Sequence, residues 1–261
     1  MFQVSSEEPN TKYILEKHKN VFVPVSQDDK IKGHMANISI KSDSQPKFFK
    51  ARPVPYAQLE AVEKEWNRLE AAGIIKRVAN SEWASPLVIV PKADSTVRLY
   101  GDYRVTVNNV IESDTYPLPT TEGLFATLAG GKIFSKIDLS SAYLQLELSE
   151  ASKKLLTVNR HKGLYQYQGL PFGVSVAPSL FQRVMDEMLN EIQGVVCFLD
   201  DIVISSNDID EHLKILEEVL TRLENHGIKA KQSKCFFMMK SVTYLGHKID
   251  VQGIHPTQEK I

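Results

Sequence analysis

A chain of 261 residues, 43% apolar and 24% charged, has the composition of a globular protein and the length of one large domain or two closely packed subdomains. Its net charge of −1, from 31 basic and 32 acidic residues, taken alone argues weakly against a nucleic-acid partner. No apolar run approaches the roughly 18 residues of a membrane span, Met1 to Glu8 lack the order of a signal peptide, and two lone cysteines, Cys197 and Cys235, exclude a disulfide framework. These features predict a soluble, reduced, intracellular protein, cytoplasmic and without a membrane partner.

In chain order, residues 20–53 are poorly patterned, broken by Pro24, Gly33, Pro46 and Pro53, and read as an extended arm. Leu59, Val62, Trp66 and Leu69 fall three or four apart and predict a helix over about 56–72, stopped by Gly73. Strands are predicted over 87–90 and 97–104. Period two places Arg98, Tyr100, Asp102 and Arg104 on one face of the second, an unusually polar face for a strand that merely packs.

Thr120 to Ala129 reads as a helix, and a strand from Lys132 ends at Asp138. A strand pair follows around Thr157 and Tyr165. A helix over about 177–193 carries Leu180, Phe181, Val184, Met185, Met188, Leu189 and Ile192. Val195 to Leu199 and Ile202 to Ile204 are predicted strands, with Asp200–Asp201 as their turn. A helix over about 208–226 shows Leu213, Leu216, Leu220 and Leu223, and strands are expected at 228–230 and 242–249. The order β–α–ββ–α–β predicts an α+β fold, a split βαβ sheet with helices on one face.

Charge is unevenly spread. Basic residues gather at 41–52, 152–168 and 226–249 with aromatic residues among them: Phe48 and Phe49, Tyr165 and Tyr167, Phe236 and Phe237. Three such stretches favour a basic groove over solvated faces.

Adjacent acids between apolar strands cost free energy unless a cation neutralises them, which singles out Asp200 and Asp201. Asp28–Asp29, with polar flanks, reads as a plain exposed turn. In a split βαβ sheet, Asp138 faces Asp200 across neighbouring strand ends. Such a cluster of oxygens suits Mg²⁺, and two metals bridged by it would promote phosphoryl transfer. No HExxH, zinc spacing, GxxxxGK[ST], GxGxxG or GxSxG pattern offers a competing site.

Six motifs in order carry a resemblance: Arg-Leu-Tyr-Gly-Asp-Tyr-Arg (98–104), Tyr-Pro-Leu-Pro (116–119), Phe-Ser-Lys-Ile-Asp-Leu-Ser-Ser-Ala-Tyr-Leu-Gln (134–145), Leu-Pro-Phe-Gly-Val-Ser-Val-Ala-Pro-Ser-Leu-Phe-Gln (170–182), Phe-Leu-Asp-Asp (198–201) and Tyr-Leu-Gly-His (244–247). The chain resembles the reverse transcriptase domain of gypsy-type LTR retrotransposon polyproteins and, more distantly, retroviral reverse transcriptases. The resemblance implies a right-hand polymerase: arm and fingers at 1–111, palm at 112–147, a fingers hairpin at 148–170, and palm through a primer-grip-like hairpin at 171–261. It implies an RNA-directed DNA polymerase using two Mg²⁺ ions, or Mn²⁺, with an RNA or DNA template, a primer and deoxynucleoside triphosphates.

In the resemblance Asp138, Asp200 and Asp201 are the metal-binding acids, with the Leu139 carbonyl beside them. Lys92, Arg98, Tyr143, Phe172, Gly173 and Lys234 fall at the nucleotide. Phe198, Leu199, Leu245 and Gly246 fall at primer and template, Phe198 standing where the family usually has tyrosine. The chain ends at Ile261 without thumb, connection or ribonuclease H, and no protease or integrase motif is present, so it reads as a fragment, or a degraded genomic copy, of a longer polyprotein, for which the resemblance implies virus-like particles. A catalytically dead relic that binds nucleic acid and another palm-type nucleotidyltransferase stand as the alternatives.

Overall fold

The computed structural model describes residues 3–4, 9–26, 29–92 and 96–257. In chain order the elements are β1 (Gln3–Val4), α1 (Pro9–Lys17), β2 (Met35–Ala36), α2 (Leu59–Ala71), β3 (Ile75–Val78), β4 (Ser85–Pro91), β5 (Val97–Gly101) and α3 (Thr121–Leu128). Then come β6 (Ile133–Asp138), β7 (Glu147–Leu148), α4 (Glu150–Leu155), β8 (Thr157–Arg160), β9 (Gly163–Tyr167), α5 (Ala177–Leu189), β10 (Val195–Phe198) and β11 (Asp201–Ser206). The chain closes with α6 (Ile209–Asn225), β12 (Phe236–Met239), β13 (Ser241–Tyr244), β14 (His247–Asp250) and β15 (Gly253–Pro256). No helix among the described residues is long and apolar enough to cross a membrane.

The chain forms two units. One comprises Met1–Val25, Tyr116–Ala142 and Phe181–Ile261, the other Ser26–Thr115 and Tyr143–Leu180. The expected single N-terminal piece, 1–111, is therefore divided near Val25. Its first part joins the unit of the acids because β1 pairs in parallel with β12, and α1 buries Ile14 and Leu15 and ties Lys17 to Glu217 of α6. Residues 112–115, 143–147 and 171–180, expected with the acids, group with the other unit.

In the first unit the sheet order is β1-β12-β6-β11-β10, with β6 antiparallel to both β11 and β12. Without β1 this is the split βαβ order that alternating strands and helices require. Side chains alternate faces along a strand. On one face Phe134, Val196 and Val203 pack with Leu124 and Leu128 of α3 and with Val242, Tyr244 and Ile249 of the β13-β14-β15 sheet. On the other face α6 docks through buried His212, whose ring nitrogens meet Ser135 Oγ at 2.7 Å and Ser206 Oγ at 2.8 Å. Helix α5 meets α6 at its C-terminal end, where Arg222 Nη1 donates to Met188 O at 2.9 Å. The helices are thus not confined to one face: α3, which precedes the split βαβ segment, covers the opposite side.

Two expected strands are corrected. Residues 242–249 form two strands, because Leu245 and Gly246 both adopt positive φ, as a two-residue hairpin loop requires. Residues 228–230 make no strand; Ala230 forms a single bridge with Leu139 and donates its N–H to Val21 O instead.

In the second unit the sheet order is β3-β9-β8-β4-β5. Helix α2 buries Val62, Trp66 and Leu69, the stripe its spacing predicts, and Trp66 meets Tyr165 edge-on at 4.9 Å. The strand expected over 97–104 ends at Gly101. Asp102 is buried in the following turn, held by Arg52 at 2.9 Å and Arg104 at 3.3 Å.

Candidate active site

The acids gather at one end of the first unit's central strands. Asp201 stands opposite Asp138 in the β6–β11 ladder. The β10–β11 hairpin closes through Leu199 and Asp200, not Asp200 and Asp201 as expected, since Phe198 pairs with Asp201. Leu199 has φ 56° whereas Asp200 stays at negative φ, so a leucine occupies the loop position where glycine is favoured. Such a conformation costs on the order of 1–3 kcal/mol and persists only where surroundings enforce it. The Leu139 N–H donates to Asp200 O at 2.7 Å, tying the hairpin loop to the end of β6.

Electrostatics at this strand end call for cations. The Asp200 carboxyl is held above the usual carboxylate range, first by desolvation, then by the charges of Asp201 and Asp138. Two lysines answer part of that charge. Lys136 Nζ lies 2.9 Å from Asp201 Oδ2 and 6.0 Å from the Tyr244 ring centroid; Lys234 Nζ lies 3.0 Å from Asp138 Oδ2. The nearby thiols are inert, because burial pushes Cys235 up to about 12 and Cys197 well above its ordinary value.

Among the described residues, no three His, Cys, Asp or Glu side chains close around a metal by themselves. The donor set nevertheless fits a hard divalent cation. It consists of carboxylate oxygens crowded at one strand end, where desolvation and the charges of Asp201 and Asp138 raise Asp200, and Mg²⁺ is commonly held by one or two carboxylates together with substrate phosphates.

Phe198 and Leu245 pack against one apolar cluster, that of Val203, Val242 and Tyr244, so two of the primer–template candidates share a support. The Gly246 carbonyl accepts from Thr257 N at 3.0 Å, anchoring the β13–β14 turn.

The remaining candidates lie in the second unit. Arg98 is exposed on β5, and its guanidinium carbon sits 4.9 Å from the Phe172 ring centroid. Tyr143 and Phe172 meet at 5.2 Å with rings inclined by 53°. Arg98, Phe172 and Tyr143 thus form a continuous row of contacts. Lys92, also exposed, closes the β4–β5 hairpin by donating its N–H to Thr96 O at 2.8 Å. Gly173 has φ 92°, and a Cβ there would stand 3.2 Å from the Tyr100 ring, so both backbone and space favour glycine. Asn108 clamps this loop, donating to Gly173 O at 2.8 Å and accepting from Ser175 N at 3.0 Å.

The expected basic groove is reduced. Arg160 and Lys162 converge on Glu63, and Lys153 pairs with Glu150 at 2.7 Å. Tyr165, Tyr167 and Phe237 are buried in the core. Only the 41–52 stretch presents two exposed aromatic rings, Phe48 and Phe49. Asp28 lies outside the described residues; Asp29 accepts from Ser26 N at 2.7 Å as a local turn.

The family model for reverse transcriptase (RNA-dependent DNA polymerase) matches residues 90–249, more than half of the chain. The chain belongs to the reverse transcriptase family. It is 38% identical over 99% of its length to the Caenorhabditis elegans protein K02A2.6, and 33% identical over 88% of its length to the Schizosaccharomyces pombe transposon Tf2-7 polyprotein. It spans 20% and 17% of those two proteins. Foamy viral protease-reverse transcriptase in complex with an RNA/DNA hybrid has the same fold, with a TM-score of 0.88 at 24% identity over 98% of this chain and 35% of that one. The native prototype foamy virus enzyme gives a TM-score of 0.83 at 25% identity, covering 93% of this chain and 33% of its own.

Three residues of this reverse transcriptase domain stand outside the candidate site read from the motifs, although Lys136 and Gln182 lie within two of those motifs. Lys136 stands two positions before Asp138, so period two places it on the same strand face. Gln182 falls at i, i+3, i+7 with Met185 and Leu189, a polar residue on a buried helical face. Asn108 carries no local signal, because its partners lie more than sixty positions away.

Proposed function

We propose that this chain is the polymerising part of an RNA-directed DNA polymerase that extends a primer on an RNA or DNA template with deoxynucleoside triphosphates. The observation that carries the reading is the register of Asp138 opposite Asp201, with Asp200 beside them, in a chain of this family. The foamy viral relatives bound to an RNA/DNA hybrid and to double-stranded DNA support the choice of partner.

In this reading Asp138, Asp200, Asp201 and the Leu139 carbonyl hold two Mg²⁺ ions, Mn²⁺ substituting. Bound divalent cations supply activation of the primer hydroxyl and stabilisation of the departing pyrophosphate. The chain's own residues do the rest. Lys92 and Arg98 hold triphosphate oxygens, Arg98 through paired charge-assisted bonds. Tyr143, backed by Phe172, sets its ring against the sugar, and Gly173 leaves room for the nucleotide beside it. Lys234, whose side chain is 56% exposed, is free to swing from Asp138 toward phosphate. Phe198, Leu199, Leu245 and Gly246 guide primer and template. The second unit corresponds to fingers and the first to palm, and the setting is intracellular.

The test is primer extension on an RNA template in Mg²⁺, with parallel assays on DNA. Extension on RNA supports the reading. A chain that binds primer–template but extends neither is a nucleic-acid binder only.

A further inference from the structure

Gln182 of α5 is fully buried, and its amide is fully used. Nε2 donates to Asp186 Oδ1 at 2.7 Å and to Cys197 O at 2.9 Å, and Oε1 accepts from Leu199 N at 2.8 Å. One planar group therefore grips the β10–β11 hairpin on both sides of Phe198, at the entry to Asp200. Its second contact falls on Leu199, the residue at positive φ. Asp186 accepts only, so it fixes which end of the amide faces which hairpin group. Asp186 is held in turn: Tyr116 donates its hydroxyl to Oδ2 at 2.6 Å, and the Arg183 guanidinium carbon lies 5.1 Å from the Tyr116 ring centroid.

We propose that Tyr116, Asp186 and Gln182 form a positioning relay that holds the Leu199–Asp200 loop in the shape that presents the Asp200 carboxylate to a divalent cation. The inference rests on the reading of the acids given above. Gln182 is a positioning residue, since it acts through the hairpin backbone. Glutamine alone suits the place: glutamate lacks the donor for Cys197 O, methionine lacks both functions, and asparagine is one methylene short. The relay also gives Tyr116, the first residue of the Tyr-Pro-Leu-Pro motif, a role distinct from packing.

The experiment compares the full chain with Gln182→Met, Tyr116→Phe and the double variant. Mn²⁺ binding without substrate is read by electron paramagnetic resonance, kcat and KM for nucleotide by primer extension, and folding by thermal unfolding. Gln182→Met should weaken Mn²⁺ binding and lower kcat by about 10- to 100-fold, the range for losing a group that orients a metal ligand, with KM for nucleotide little changed. Tyr116→Phe removes one hydroxyl at the far end and should shift the same two quantities in the same direction, by less, at an unchanged unfolding midpoint. The double variant should be no worse than Gln182→Met, because both act through one chain of bonds. Should Gln182→Met fail to fold, Tyr116→Phe carries the test. Wild-type extension and Mn²⁺ binding matched by folded variants would overturn the relay alone. A wild-type chain that neither binds Mn²⁺ nor extends a primer would overturn the underlying reading, and the relay with it.

Discussion

Lys234 donates to Asp138 Oδ2 at 3.0 Å, so an exposed lysine occupies a carboxylate proposed to hold metal. The ammonium competes with a divalent cation for the same oxygen. Lys234→Gln should therefore tighten Mn²⁺ binding measured without nucleotide, yet raise KM for nucleotide in primer extension. Movement of both quantities in the same direction would remove one of the two roles.

Asp200→Asn keeps the shape of the side chain and removes its charge. Polymerisation should fall by on the order of a thousandfold or more, as expected for a direct participant in phosphoryl transfer. Because Asp200 is desolvated beside two like charges, the variant should unfold no more easily than wild type. Near-normal extension by Asp200→Asn would sink the assignment.

Arg98 stacks on Phe172, while Asp102 takes its partners from Arg52 and Arg104. An intrastrand pair with Asp102 is therefore no account of Arg98. Arg98→Ala should raise KM for nucleotide while leaving primer–template affinity and the unfolding midpoint nearly unchanged, since an exposed cation–π contact contributes only about 0.5–1 kcal/mol. Equal losses in both affinities would contradict a triphosphate role.

Tyr143 is half-buried against Phe172 and is not a core tyrosine like Tyr103 or Tyr167. If its ring fills the space a ribose 2′-hydroxyl needs, Tyr143→Val should favour ribonucleotides by roughly 10- to 200-fold relative to deoxyribonucleotides. Single-nucleotide extension with both sugars reads the ratio. An unchanged ratio, whatever the absolute rates, would remove Tyr143 from the site.

Burial pulls His212 down to about 4 from 6.5. The unfolded chain then binds more protons than the folded one between these values. The contribution of the neutral imidazole is complete above pH 6.5 and is lost as pH falls toward about 4. The loss amounts to on the order of 3 kcal/mol. Urea midpoints measured from pH 7 to pH 4 should fall along this course, and His212→Gln should start lower but show a flatter profile. A wild-type profile no steeper than the variant's would show that His212 is not the acid-sensitive group.

The long amphipathic helices were legible in the sequence to within a few residues. α2, α5 and α6 carry apolar side chains at three- and four-residue spacing, and that period is local chemistry. The acids were legible as a set because like charges between apolar strands need an explanation. Short strands were not. β3, β12 and β15 are each four residues, too short for a period to show, and they exist because a partner strand satisfies their backbone groups. The run 242–249 hid its turn, since Leu245 gives no sign that it adopts positive φ.

Residue types and their order, by themselves, marked this chain as a member of the reverse transcriptase family and singled out Asp138, Asp200 and Asp201 as candidate metal ligands. Only the tertiary structure decided how those acids are arranged. It set the register that puts Asp201, not Asp200, opposite Asp138. It brought Lys136 and Lys234 to the carboxylates and the Gln182 amide to the hairpin loop. It also paired Arg160 and Lys162 with Glu63, and Lys153 with Glu150, rather than leaving these three cations to an open groove. The physical reason is range: helix periodicity and turn chemistry act within a few residues, whereas strand register and charge pairing are settled between groups far apart in the chain and neighbours only once it is folded.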